Sequence, residues 1–317
     1  MLKFVGKRIL QALPILVGIS LVAFILLQLT PGGPGAAYRG LANVSAEDLA
    51  RIEAEFGFDR PLIIQYFSWL GQFVQGDWGI SFVARQPVFG LIMERLPATL
   101  LLMASGITVS LIISIPLGLL AAIKRDTWVD HTLTFASFVG LSIPVFWLGL
   151  MLIIVFSVWL GWFPTGGMGP PGEDVGVLTR IWYLTLPTVA ISMVSLSFFT
   201  RYLRASMIET MDEEYMRFNK ARGLPPARRY MRHAFRNAGI PFVTVVAIHI
   251  PEFLVGALVV ETIFTWPGTG RLFWDSALRF DYPVLMGILV LGSLMVLASN
   301  LLADVLYGKL DPRVRFD

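Results

Sequence analysis

Residues 96–123 read LPATLLLMASGITVSLIISIPLGLLAAI, a run without Asp, Glu, Lys or Arg that lies between Arg95 and Lys124. A helix rises about 1.5 Å per residue, so about 20 apolar residues cross the roughly 30 Å hydrocarbon core of a bilayer. The run exceeds that length. It therefore predicts a helix that spans a membrane.

The composition of the 317-residue chain indicates the same class of protein. Hydrophobic residues make up 56% of it and charged residues 15%, whereas charged residues make up about 25% of a typical soluble domain. A soluble protein of this length has too little interior to bury so much apolar surface. The composition excludes an ordinary soluble enzyme and a disordered regulator, and the absence of cysteine excludes a disulfide-stabilised secreted domain.

Six stretches have the length of a membrane-spanning helix, and only the fifth contains carboxylates, those of Glu252 and Glu261. The first has 22 uncharged residues, more than the roughly 7–15 of a signal peptide, which favours a retained helix. We therefore expect an all-α membrane protein with six transmembrane helices. The predicted helices cover residues 9–30, 96–123, 132–160, 181–200, 241–264 and 282–303.

The positions of the basic residues predict the orientation of the six helices. If the N-terminus is cytoplasmic, the inner segments hold 17 Lys and Arg residues and the outer segments hold 8. Cytoplasmic loops carry the excess of Lys and Arg, so both termini are expected in the cytoplasm. The chain then divides into three parts. They are an N-terminal segment with the first helix (1–30), an extracytoplasmic loop or lid (31–95) and a five-helix core (96–317) that includes a cytoplasmic loop (201–240).

The outer loop, residues 31–95, is too long to be a simple connection. Ser45 is a candidate helix cap, and Trp69, Phe73 and Trp78 suit the membrane interface. Two interpretations remain open. The loop is either a lid packed on the outer membrane surface or a docking site for an external partner.

The inner loop, residues 201–240, holds nine basic and four acidic residues, so its net charge of +5 exceeds the +3 of the whole chain. Acidic residues at 212–214 and basic residues at 217–222 suit the two ends of a helix, which Gly223 would terminate. With a second helix expected from Ala227, the loop is predicted to be a helix, a turn and a helix. It either lies against anionic membrane lipid or projects into a cytoplasmic partner, and no aromatic-basic surface indicates nucleic acid.

Seven segments, spread over nearly the whole chain, resemble one protein family. The sequence is similar to the permease subunits of binding-protein-dependent ABC importers, specifically those of the dipeptide, oligopeptide and nickel group. The segments that carry the resemblance are MLKFVGKRILQALPILVGISLVAFILLQLTPGGP (1–34), FGFDRPLIIQYFSWLGQFVQGDWGIS (56–81), ERLPATLLL (94–102), SIPVFWLGL (142–150), GLPPARRYMRHAFRNAGIP (223–241), VVETIFTWPGTGRLF (259–273) and LDPRVR (310–315).

The resemblance implies a type I ABC importer permease fold and a set of partners. Two homologous permease subunits would form the channel, two cytoplasmic ABC ATPase subunits would bind ATP and Mg and drive it, and an extracytoplasmic substrate-binding protein would deliver the solute. The family transports di- and oligopeptides, nickel chelates, glutathione and some sugars. The permease chain itself would hold no catalytic residue, cofactor or metal, and would lie in the prokaryotic inner membrane.

The resemblance also places the helix that couples transport to the ATPase in the inner loop. This sequence departs from the broader importer pattern, because Arg217, Phe218 and Asn219 occupy the positions of its Glu-Ala-Ala. The residues implied to form the ATPase-coupling site are Glu214, Tyr215, Arg217, Lys220, Ala221, Arg222, Gly223 and Leu224, and those implied to support the loop are Arg232, His233, Asn237 and Pro241.

Glu252 is the one ionisable residue near the centre of a predicted span, and His249 lies three residues before it on nearly the same helix face. A carboxylate at that depth is expensive and normally faces a wet cavity or a partner. The pair is therefore a candidate for the translocation path, where it would contact a polar or cationic substrate. The alternatives are an inter-subunit hydrogen bond, or a helix broken at Pro251 that lets Glu252 reach water.

No residue pattern in the chain indicates catalysis. Residues 267–271, PGTGR, are the nearest match to a phosphate-binding loop but lack its GK[ST] ending, and are more simply an outer turn. His131, His233 and His249 do not have metal-ligand spacing. Besides the ABC permease, two alternatives stay open: an ion-coupled secondary transporter, which would favour internal repeats, and a membrane scaffold without transport activity.

Overall fold

The structure is a computed structural model in which the regular elements of the described residues are all helical, apart from an isolated bridge between Ile80 and Pro87. The all-α prediction is therefore confirmed, while the predicted helix cap at Ser45 lies outside the described residues. These residues are 2–29, 60–170, 172–173 and 175–310. The elements are α1 (Leu2–Gln28), α2 (Leu62–Val74), α3 (Val88–Ile123), α4 (Trp128–Ser142), α5 (Val145–Leu152), the π-helical segment π1 (Ile153–Trp159), α6 (Val177–Asp212), α7 (Glu214–Ala221), α8 (Pro226–Arg228), the π-helical segment π2 (Arg229–Ala234), α9 (Phe235–Ile263), α10 (Thr269–Leu278) and α11 (Tyr282–Leu310).

Five helical stretches of the described chain are long and apolar enough to cross a membrane. They are α1, α3, α6, α11 and the continuous stretch from α8 through π2 to α9. A sixth candidate is α4 together with α5 and π1, whose two halves meet at an angle of 98°. Counting this bent pair as one span gives the six spans that the sequence predicts.

The bent pair corrects the prediction of a single continuous helix over residues 132–160. α4 ends at Ser142, Ile143 is extended with φ −82° and ψ 120°, and Pro144 directly precedes α5. The ring of a proline clashes with a helical conformation of the residue before it. The Ile143-Pro144 step therefore ends α4, and the apolar run continues in a new direction.

Several helix boundaries and two additional helices, α2 and α10, also differ from the prediction. α3 begins at Val88, inside the predicted outer loop, and α6 continues past residue 200 to Asp212. The predicted boundaries of these two spans are at Arg95 and Arg201, but a long charged side chain can stay on a helix when its head group reaches water or a partner. α10 (Thr269–Leu278) was not predicted at all; it begins directly after Gly268, within the expected outer turn.

The first of two compact units comprises Met1–Thr99 and Pro267–Leu297. Within the described part of this unit, the carboxylate of Asp281 is buried. This carboxylate accepts hydrogen bonds from the hydroxyl of Ser81 and from the backbone N–H of Phe82. The loop before α3 is thereby fixed to the residue that precedes α11.

The second unit comprises Leu100–Trp266 and Ala298–Asp317. In this unit α6 packs against α4, α5 and α9, and α9 also contacts α5. A buried apolar cluster, which we call the inner cluster, joins α3, α6, α7, π2 and α9. Its residues are Leu119, Ala122, Phe199, Leu203, Met207, Met216, Ala234, Ala238 and Phe242. Because α7 contributes to this cluster, the short inner helix is packed onto the long apolar helices.

Candidate functional site

α7 is a separate helix of eight residues that follows α6 after the single extended residue Glu213. Glu214 lies in its first turn and Lys220 in its last, where each charge suits the helix dipole. The predicted helix, turn and helix are therefore confirmed. Asp212 corrects one detail, since it ends α6 instead of opening the helix of the inner loop.

The turn after α7 depends on the backbone conformation of Gly223, whose φ is +75°. The N–H of Gly223 donates to the carbonyl of Lys220 at 3.0 Å, and the N–H of Leu224 donates to the carbonyl of Asn219 at 3.2 Å. These two bonds form a Schellman motif, which satisfies the last carbonyls of the helix. Gly223 thus terminates α7, as the sequence predicts.

Met216 attaches α7 to the rest of the second unit. It is 5% exposed and is the one buried residue of α7. Its partners in the inner cluster include Leu203 and Met207 of α6 and Phe242 of α9. A displacement of α7 therefore acts directly on two of the helices that are long enough to cross a membrane.

Tyr215 links α7 to the helical stretch that follows the turn. The side-chain amide of Asn237 donates to the Tyr215 hydroxyl at 2.7 Å, and this hydroxyl donates to the carbonyl of His233 at 3.5 Å. Three residues that the sequence analysis singled out are therefore brought together. Of the others, Glu214, Arg217, Lys220, Ala221, Arg222, Gly223 and Arg232 are exposed, and Leu224 and Pro241 are half-buried.

The exposed face of α7 carries an aromatic residue that was not among the predicted site residues. Phe218 is 61% exposed, and the guanidinium carbon of Arg222 lies 5.6 Å from the centroid of its ring. Tyr215 lies three residues earlier, on the same helix face. Together with Arg217, these side chains give the face both aromatic and positive character. The signal in the sequence is a phenylalanine in a short helix that also carries several charged residues.

A second feature that the sequence did not indicate is an ion pair between α4 and α6 whose carboxylate is buried. The guanidinium of Arg204 donates two hydrogen bonds to Asp130, one to each carboxylate oxygen, and the Nη2–Oδ2 distance is 2.7 Å. The carboxylate of Asp130 is 1% exposed. Arg204 was counted among the free positive charges of the inner loop. At least one of the nine basic side chains of the inner loop is therefore paired within the protein.

His249 and Glu252, the predicted pair, lie next to each other on α9. His249 Nε2 is 3.6 Å from Glu252 Oε1, and the ring of Phe198 stacks on the imidazole with centroids 4.2 Å apart. The Glu252 side chain is 63% exposed. α9 continues through Pro251 without a break, so the alternative of a helix broken at that proline is wrong. The carboxylate of Glu252 therefore lies on the surface of the isolated chain.

No metal centre is present among the described residues, where no three His, Asp or Glu side chains are grouped closely enough to hold an ion. Glu261, the other carboxylate of the fifth predicted span, is fully buried near the end of α9. We therefore take α7 as the candidate functional site. It has an exposed aromatic and basic face, and its buried side is attached to the inner cluster.

Two family models match the chain and define its class. Residues 114–316 match the model described as "Binding-protein-dependent transport system inner membrane component", and residues 1–103 match the model for the N-terminal part of such membrane components. The chain belongs to this family. It is thus the permease component of a binding-protein-dependent transport system, and its place is the inner membrane.

Individual relatives are similar over their full lengths. The oligopeptide transport system permease protein AppB of Bacillus subtilis is 41% identical over 317 residues, which cover 100% of both chains. The dipeptide transport system permease protein DppB of Escherichia coli K12 is 35% identical, with 99% of each chain covered. A putative peptide permease protein of Brucella suis is 37% identical with the same coverage.

A solved structure confirms the fold. A chain of the MetNI methionine ABC transporter in an inward-facing conformation superposes with a TM-score of 0.60 at 15% sequence identity. The match covers 70% of this chain and 97% of that one. At this identity the likeness concerns the fold alone, and it is the fold of an ABC importer permease, as the resemblance implied.

Proposed function

We propose that this permease imports peptides or similar small solutes and that the energy for import comes from ATP hydrolysis in partner subunits. The peptide class is supported by the names of the full-length relatives, which are oligopeptide and dipeptide permeases. In this proposal the chain itself has no catalytic residue. ATP and Mg are bound by two cytoplasmic ABC ATPase subunits.

The observation that carries the proposal is the construction of α7. Its outer face exposes Phe218 and basic side chains, while Met216 on the opposite side is buried in the inner cluster. An exposed aromatic residue with arginine beside it is typical of a protein-binding surface. A helix that is open on one side and packed on the other is suited to receive a movement and pass it on.

The proposed mechanism is alternating access. Closure of the ATPase pair on ATP would move α7, and through Met216 this movement would reach α6 and α9. The bundle would then open outward to accept the solute from the extracytoplasmic binding protein, and hydrolysis would return it inward. Glu214, Arg217, Lys220 and Arg222 would make the polar contacts of the ATPase-coupling site.

We further propose that His249 and Glu252 line the translocation path. The support is the exposed carboxylate of Glu252 on a long and mainly apolar helix. A carboxylate that is costly in lipid is acceptable where it faces a wet path or a second subunit. There it would attract polar or positively charged groups of the solute, such as the ammonium group of a peptide. His249 and Phe198 would hold it in place.

The proposal includes a homologous second permease subunit, cytoplasmic N- and C-termini, and an extracytoplasmic lid or docking loop within residues 31–95. The orientation is supported by the distribution of Lys and Arg along the chain. The prediction that residues 96–317 form a five-helix core with the cytoplasmic loop 201–240 is part of the same proposal.

The test is transport by the whole complex in proteoliposomes, with a radiolabelled pool of random di- to pentapeptides as the probe. We expect uptake that needs both ATP and the binding protein, together with copurification of the ATPase subunits. Uptake driven by a proton or sodium gradient without ATP would support the secondary transporter instead. Absence of uptake under every condition would support the scaffold.

A further inference from the structure

We propose that the ion pair between Asp130 and Arg204 is a positioning tie that carries the movement of α7 to the bent span formed by α4, α5 and π1. The inference rests on the proposed function, because it assumes that ATPase subunits move α7. It adds to that function a route by which the movement reaches the bent span.

The contact fixes both the distance and the orientation between α4 and α6. Besides the two hydrogen bonds from Arg204, the carboxylate of Asp130 accepts from the backbone N–H of Asp126 at 3.0 Å and from the hydroxyl of Thr134 at 3.4 Å. A bidentate pair of guanidinium and carboxylate is planar and directional. Packed apolar helices can slide past one another in small steps, and a directional ion pair between them resists such a shift.

Arg204 lies on the stretch of α6 to which α7 is attached. Leu203 and Met207, its neighbours on α6, belong to the inner cluster that holds Met216 of α7. Glu213 alone separates the end of α6 from the start of α7. A displacement of α7 therefore acts on the part of α6 that carries the arginine.

α4 contacts α6 beyond the ion pair, so the two helices are built to move together. A Cβ atom at Gly140 would overlap the hydroxyl oxygen of Ser197, which shows how closely the backbones approach. The guanidinium carbon of Arg201 lies 4.2 Å from the centroid of the Phe138 ring. Ile143, the extended residue directly after α4, is then where the movement is absorbed, because hinge residues sit at the ends of elements.

A transmitting pair and a merely stabilising pair differ in what their loss changes. Loss of a stabilising pair lowers the amount of assembled transporter. The complexes that do assemble still move the same amount of solute per ATP. Loss of the tie lowers the solute moved per ATP in the assembled complex. The ratio of uptake to ATP hydrolysis therefore distinguishes the two roles.

The experiment measures this ratio for the full complex in proteoliposomes, with the radiolabelled pool of di- to pentapeptides. Asp130→Asn keeps the shape of the side chain but removes its charge. Arg204→Lys keeps the charge but removes the planar fork, so it also tests the tie if Asp130→Asn fails to assemble. We expect continued ATP hydrolysis and a ratio about tenfold lower, within the range that single positions of a coupling network produce.

The control is Asp212→Asn, which breaks the ion pair between Arg125, in the connection before α4, and Asp212 at the end of α6. That pair has an N–O distance of 3.0 Å, but the Asp212 side chain is 64% exposed, so we expect less than about a twofold change. An unchanged ratio in Arg204→Lys would overturn the tie. A wild-type complex without ATP-driven uptake would instead overturn the proposed function.

Discussion

Gly223 provides a test of the turn that ends α7, because its neighbourhood separates backbone strain from steric clash. Its φ is +75°, and a Cβ atom built at this position meets no heavy atom within 4 Å. Within this chain, a Cβ atom at position 223 therefore meets no clash, and a substitution acts through the conformational preference of the backbone. For a residue with a Cβ, the left-handed conformation costs about 1–2 kcal/mol.

This strain translates into the population of the Schellman turn. At tenfold for every 1.4 kcal/mol, a cost of about 1–2 kcal/mol lowers the equilibrium constant for the turn roughly 5- to 30-fold. We expect the smallest effect for Gly223→Asn, since asparagine enters the left-handed region more readily. Gly223→Ala should be intermediate. Gly223→Val should be the most severe, because a β-branched residue is a genuine outlier there.

The assay is ATP-driven uptake by the reconstituted complex, with ATP hydrolysis measured in the same vesicles. Loss of the turn should lower uptake least in Gly223→Asn, more in Gly223→Ala and most in Gly223→Val, while ATP hydrolysis continues. The control is Gly239→Ala in α9, where a Cβ also meets nothing within 4 Å but φ is not positive. That variant should transport normally. Wild-type uptake by Gly223→Val would refute the account of the turn.

Three further predictions concern the attachment of α7, the path and the orientation. Met216→Ala removes the buried anchor of α7 and should destabilise the packing of α7 by about 2–5 kcal/mol. The expected result is a lower Tm and less uptake per ATP. Met216→Leu should keep the wild-type value of both quantities. Glu252→Gln should reduce uptake of peptides with a free ammonium group, and unchanged uptake of every solute would remove this residue from the path. Because the chain has no cysteine, a single introduced cysteine reports on which side of the membrane it lies. An impermeant maleimide should label Leu178→Cys in intact cells but should label Lys220→Cys only after permeabilisation. The reverse pattern would show the opposite orientation.

The features that the sequence predicts well are those encoded locally. Apolar runs predict the long helices, and the charges at the two ends of α7 together with Gly223 predict a short helix and its turn. The contact between His249 and Glu252 follows from their spacing of three residues on one helix. Each of these relations involves residues that are neighbours in the chain.

The features that were missed depend on contacts between distant residues or on a signal that was not used. Asp130 and Arg204 are 74 positions apart, so their pairing requires the packing of α4 on α6, and without it Arg204 reads as a surface charge. The Ile143-Pro144 step is visible in the sequence, but an uninterrupted apolar run does not by itself show that the span bends there. Phe218 was overlooked because its exposure is a property of the folded loop.

The measurement that tests the central claim most directly is photocrosslinking from α7 to the ATPase. A benzophenone amino acid in place of Phe218 places the reactive group on the exposed face of α7. The control is the same amino acid in place of Trp128, an aromatic residue that is 77% exposed at the start of α4. The account predicts an adduct with the ATPase subunit from position 218 in the assembled complex. An adduct from position 128 and none from position 218 would contradict it.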